Sequence, residues 1–187
     1  EINTEIAKVE PGNRENRRGM ALDHIYLGDA SYALRNREAA LRHNREALDL
    51  LEELLAEDEA SDEDRRLLAV AELKVGDMVR KTVGLDDAEP HYARSLEIRE
   101  ARAAEFPDDD EALHDLTVGV TRMGDLFRRK GEALQDLGDT DEAMALFEQS
   151  RERFEFVLQT RLAIADRDPH SSRRRRDVMK TRLLLAP

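Results

Sequence analysis

The sequence has no cysteine and no tryptophan, and only 4% of its residues are aromatic. Without cysteine there is no disulfide, no thiolate metal site and no thiol nucleophile, and a reducing compartment suits the chain, so a cytoplasmic location is the expectation. With so few rings, apolar contact has to come from Ala, Leu, Val, Ile and Met, a palette that favours helices. Positive charge is also short: 30 Lys and Arg against 42 Asp and Glu leave a net charge of -12. General binding to nucleic acid or to an anionic membrane needs a cationic field, so neither is expected. No apolar run approaches the roughly 20 residues that cross a bilayer, and the opening EINTEIAKVE lacks the charged-then-apolar layout of a signal peptide. The chain opens on Glu1 with a helical pattern already under way, and reads as a piece of a longer protein.

What the sequence does contain is a period. Gly-Asp pairs stand at Gly28-Asp29, Gly76-Asp77 and Gly124-Asp125, 48 residues apart each time, and the same shift brings Ala40 over Ala88, His43 over His91 and Leu48 over Leu96. Between these anchors the apolar spacing is helical, as in Leu41, Leu48, Leu51 and Leu55. Breakers fall at PGN (11–13), VGLDD (83–87), FPDDD (106–110), LGDTD (137–141) and DPHSS (168–172), and Pro90 reads as a residue of the first turn after Asp86 and Asp87. The expected fold is all-α, with antiparallel helical hairpins at 13–58 and 61–106, a longer one at 109–168, the end of a preceding unit at 1–10 and the start of a fourth at 172–186. A glycine in mid-helix costs about 1 kcal/mol, so its return in every unit implies that the partner helix passes too close for a side chain.

These residues resemble the tetratricopeptide repeat, whose pattern is W-x2-L-G-x2-Y, then A-x3-F, then P. Leu27-Gly28, Val75-Gly76 and Met123-Gly124 match its L-G pair, Ala40 and Ala88 follow by 12 residues, and Tyr92 and Phe127 hold aromatic places. His24, Glu72 and Val120 replace the tryptophan, and the unit is 48 residues rather than the family's 34. The surplus places seven extra residues on each helix away from the turn. The third unit adds seven more per helix on the turn side, because FEFVLQTRLAIADRDP at 154–169 lies over YARSLEIREARAAEFP at 92–107 without a gap. Its hairpin should stand about 10 Å taller. The resemblance implies an α-solenoid, a right-handed superhelix whose concave groove holds a partner segment, and long units of this kind look like those of large multidomain bacterial proteins.

No catalytic constellation is written in the sequence. His24, His43, His91, His114 and His170 lack metal-ligand spacing, and no phosphate-binding glycine loop or nucleophile elbow is present, so no enzyme activity, cofactor or metal is expected. The acidic runs at 57–66 and 107–112 read as helix caps rather than calcium loops. At about 100° per residue, Leu22, Ile25, Asp29 and Tyr32 share a stripe opposite a buried side around His24, Leu27, Gly28 and Ser31. Leu73, Asp77, Arg80 and Lys81 repeat it in the second unit, and Asp125, Arg128 and Arg129 in the third. The partner-binding candidates are therefore Leu22, Ile25, Tyr32, Leu73, Arg80, Lys81, Arg128 and Arg129. The competing reading of the aspartates is a same-helix pair, Asp77 with Lys81 and Asp125 with Arg129. In the resembled family the clamp for peptide carboxyl ends uses asparagine where this chain has aspartate, so an acidic tail is not the expected partner.

Three features stand outside that stripe. The arginines of SSRRRRDVMKTR (171–182) should face solvent or meet the acidic turn of a neighbouring unit. The tall hairpin carries Leu134, Leu137, Met144 and Phe147, which either pack hairpin on hairpin or form a second contact surface. Ile2, Ile6 and Val9 at one end and Leu183, Leu184 and Leu185 at the other could stack end to end. The function expected is a non-enzymatic scaffold for a protein or peptide partner. The alternatives are a spacer or self-association segment, or the regulatory repeat region of a larger multidomain enzyme.

Overall fold

The computed structural model describes residues 13–57 and 61–185, and all regular structure among them is helical. Seven helices follow one another: α1 (Arg14–Ala33), α2 (Arg37–Leu55), α3 (Asp62–Thr82), α4 (Leu85–Glu105), α5 (Asp110–Leu137), α6 (Thr140–Arg167) and α7 (Ser172–Leu184). Every break anticipated between described helices is found. Residues 1–10, with Ile2, Ile6 and Val9, lie outside the described residues.

The helix starts are written in side chains that satisfy orphan backbone N–H groups. The Asn13 side chain accepts from the N–H of Glu15 and Asn16, Asn36 from Ala39, Asp109 from Glu111 and Ser171 from Arg174. At α3, Ser61 and Asp64 form a reciprocal capping box. The acidic runs are thus used as caps. Pro90 departs from expectation: α4 begins at Leu85, so the proline is its sixth residue, one turn deeper than the first-turn reading, where it removes an intrahelical donor.

Consecutive helices pack in a repeat-like manner, and contacts gather into two compact units, Glu1–Ile98 and Arg99–Pro187, which divide α4. In the first unit α1 lies along α2, α2 packs on α3, and the start of α4 returns along α3. In the second, α5 lies along α6 and α6 packs on α7.

The recurring glycines sit where the partner helix presses hardest. A Cβ on Gly28 would lie 2.2 Å from Asn44 Oδ1, one on Gly76 2.8 Å from Tyr92 Cε1, and one on Gly124 2.8 Å from Phe154 Cε1. In the tall hairpin a second glycine repeats the arrangement, since a Cβ on Gly131 would lie 2.8 Å from Phe147 Cε1. Gly131, Ala143 and Phe147 stand at offsets of 12 and 16, as do Gly76, Ala88 and Tyr92. The extra seven residues on each arm therefore add a second close-contact layer in the same antiparallel register.

The expected buried side needs correcting. On α1 the buried residues are Ala21, Ile25 and Gly28, one stripe at helical spacing, while Leu27 is 48% exposed. Ile25 belongs to that core stripe, at 4% exposure. On α3 eleven of the sixteen positions from Asp64 to Val79 are buried, Leu73 included at 8%, because this helix has neighbours on more than one side.

Two polar devices tie helices together. In the first unit the fully buried carboxylate of Asp64 receives Arg14 at 2.8 Å and Arg18 at 2.6 Å, and Arg14 also reaches Glu57 at 2.9 Å and the Leu54 carbonyl at 2.9 Å. Burial alone would raise the Asp64 carboxyl, but hydrogen bonds from Arg18, Arg14 and Ser61 hold it well below the usual carboxylate range. In the second unit Arg99 donates to the carbonyl of Asp115 at 3.0 Å, and Arg161, 62 residues on, donates to the carbonyl of Asp177 at 3.2 Å. Arg161 also donates to the hydroxyls of Thr181 and Thr117, at 2.8 and 3.2 Å.

Candidate functional site

In the first unit, α1 and α3 bring together a mixed aromatic and charged face. Tyr32 is 43% exposed, and Lys81 from α3 places its Nζ 3.9 Å from the ring centroid while donating to the phenol oxygen at 2.7 Å. That hydrogen bond pulls the Tyr32 hydroxyl below its ordinary pKa. Nearby, Lys74 donates to Asp29, again across the two helices. Lys81 has thus turned to the neighbouring helix rather than along its own toward Asp77. Asp77 instead accepts from the Tyr92 hydroxyl at 2.8 Å, and Arg80 donates to the same oxygen at 3.2 Å. Burial first, and the Asp77 charge second, push the Tyr92 phenol upward, so it is a structural hydrogen-bond donor.

In the second unit the equivalent position is a same-helix cluster. Arg128 and Arg129 donate to the two Asp125 oxygens at 2.6 and 2.8 Å, and Arg128 also reaches Glu132. Burial would raise Asp125, but the two guanidinium groups outweigh it and lower its pKa. The pairing of Asp125 with Arg129 is the same-helix reading of the aspartates. Of the eight candidates, Tyr32 lies on the surface, Leu22, Arg80, Lys81, Arg128 and Arg129 are half-buried, and Ile25 and Leu73 belong to the core. A partner cannot reach those two without opening the packing.

Other surfaces carry distinct chemistry. An open cleft of about 530 Å³ is lined by His114, Arg173, Arg176, Asp177 and Lys180, where burial lowers the His114 pKa. Arg174 reaches back to Asp110 at 2.8 Å, so one arginine of the basic run does meet an acidic helix start. At the top of the tall hairpin Leu137 and Met144 are 78% and 64% exposed, while Leu134 and Phe147 are half-buried. Leu183 and Leu184 are exposed as well.

One grouping escaped the sequence reading. His24 of α1 and His43 and Glu46 of α2 converge, with the two Nδ1 atoms 3.2 Å apart and Glu46 Oε2 3.0 and 3.1 Å from them. Metal motifs are sought along one helix, whereas these histidines are 19 residues apart and face each other across the hairpin. Their 48-shifted counterparts are Glu72, His91 and Arg94, in which Glu72 takes His91 at 2.7 Å and Arg94 at 3.0 Å.

No family model and no curated protein matches the chain. Among solved structures it is similar to one described as a DHF79 filament, with a TM-score of 0.41 and 16% identity, over 97% of this chain and 92% of that one. Among the described residues no helix is long and apolar enough to cross a membrane.

Proposed function

We propose that the chain is a tetratricopeptide-like α-solenoid segment that holds a protein or peptide partner on the exposed faces of its first helices. The observation that carries this reading is the Tyr32, Lys81, Lys74 and Asp29 face. It places an aromatic ring, a cation over it and a cross-helix ion pair at the surface, where a chain segment can stack and hydrogen-bond. The repeated hairpins beneath it support the assignment, since stacked helical repeats present long surfaces while contacting only their neighbours. Arg128 and Arg129 offer a second, more basic contact area in the other unit, and Ile25 and Leu73 are not part of the surface proposed.

The test is a pull-down from lysate of the source organism with the intact chain, a Tyr32→Ala/Lys81→Glu variant and an Arg128→Glu/Arg129→Glu variant, each checked for helicity by circular dichroism. A partner retained by the intact chain and lost by the first variant supports binding at the first-unit face. Equal retention by both folded variants, or no partner at all, would remove that face as the site. The spacer and self-association alternative is supported by the exposed Leu183 and Leu184 and would show as a mass that grows with concentration in light scattering.

A further inference from the structure

We propose that His24, His43 and Glu46 form a binding site for a single zinc-class divalent cation midway along the first hairpin. The three ligand atoms make a nearly equilateral triangle with edges of 3.0, 3.1 and 3.2 Å. Around a tetrahedral zinc ion with metal–nitrogen bonds of 2.0–2.1 Å, neighbouring ligand atoms stand about 3.3 Å apart, so the triangle matches one face of such a coordination shell. Imidazole with carboxylate is a donor set suited to zinc, cobalt(II) or nickel(II), and unlike calcium or magnesium sites it is nitrogen-rich. The side chains are 24%, 19% and 43% exposed, which leaves the fourth position open to water or to an exogenous ligand.

The hairpin supplies the arrangement through its register. His24 and His43 face each other across the hairpin, four residues from Gly28 and one from Asn44, next to the close contact that those two residues make. Their rings are 5.4 Å apart between centroids and tilted by 35°, and Glu46 Oε2 stands within 3.1 Å of both Nδ1 atoms. The other Glu46 oxygen is 4.0 Å from Arg42 Nε, which favours the rotamer that turns Oε2 inward.

The second hairpin is a built-in control. Glu72 and His91 occupy the same two facing positions, but Arg94 replaces the third ligand and brings a guanidinium to the carboxylate. A cation there would be repelled and a ligand would be missing. The chain should therefore take one metal ion, not two.

The experiment is calorimetric titration of Zn2+ into the tag-free chain, repeated with Co2+ to read the visible absorption of four-coordinate cobalt. One equivalent per chain is expected, with a rise in melting temperature at saturating Zn2+. Glu46→Arg, which copies the second hairpin, and His43→Ala should each weaken binding at least about 100-fold, beyond what outer-shell changes cost. His91→Ala should leave it unchanged. Glu46 is the most exposed of the three, so its variant keeps the fold even if His43→Ala does not. Absence of saturable binding, equal binding by Glu46→Arg, or loss on His91→Ala would overturn the assignment.

Discussion

Single residues in this chain are chosen by backbone conformation and by the distance to the next helix. Arg35 is the only non-glycine with positive φ among the described residues, at 62°, and it ends α1 where Gly138, at 90°, ends α5. In both places the following N–H returns to a carbonyl five residues back, Asn36 to Ser31 and Asp139 to Leu134, each at 2.9 to 3.0 Å. A side chain in that region is strained, and glycine is the relaxed choice. Arg35→Gly should raise stability by about 1 kcal/mol, read as a higher urea midpoint with an unchanged slope. The recurring mid-helix glycines were legible in the sequence because their cost demands a close neighbour. The burial of Ile25 and Leu73 was not, because a helical wheel gives the face of a residue but not how many helices surround it.

At the scale of elements, caps and breakers made most helix limits legible, since Asn, Ser, Asp, Gly and Pro act through the local backbone alone; the turn at 34–36, with neither Gly nor Pro, was not among those read. What depended on the meeting of distant helices stayed hidden. Asp64 reads as an ordinary capping acid until Arg14 and Arg18 are brought to it across 50 and 46 residues. The trio of His24, His43 and Glu46 is hidden for the same reason. The tall hairpin allows a direct test of its layered construction. Removing residues 128–134 together with 144–150 deletes the Gly131 and Phe147 layer and leaves Gly124 opposite Phe154. It also puts Ala143 and Phe154 at offsets 12 and 16 from Gly124, the spacing of Gly76, Ala88 and Tyr92. The shortened chain should unfold cooperatively, with helical ellipticity lower only in proportion to the residues removed; loss of cooperativity would contradict a modular layer.

For the molecule as a whole, acid sensitivity should come in two windows. The His114 pKa is lowered in the fold, so the unfolded chain binds a proton first and stability falls as pH drops below about 6.5, until the lower folded value is reached. Asp64 and Asp125 are likewise lowered, so the stability they contribute is complete above about pH 4 and is lost as pH falls through their folded values. Urea midpoints measured across pH should show both falls; His114→Asn should flatten the upper one and Asp64→Asn the lower. Asp64→Asn should also cost about 3 kcal/mol at neutral pH, because it strips the charge from a buried carboxylate held by two arginines.

The second layer of the tall hairpin sets a rule for how such units change size. Seven residues cover 700° of helix, 20° short of two full turns, so each added pair of heptads lifts the turn by about 10.5 Å and swings its heading by about 20°. Height and heading are geared together. Growth by one step keeps the tip almost in line with its base, whereas several steps would carry Leu137 and Met144 round the side of the hairpin, so a lineage tuning the reach of these units must also retune what their tips point at.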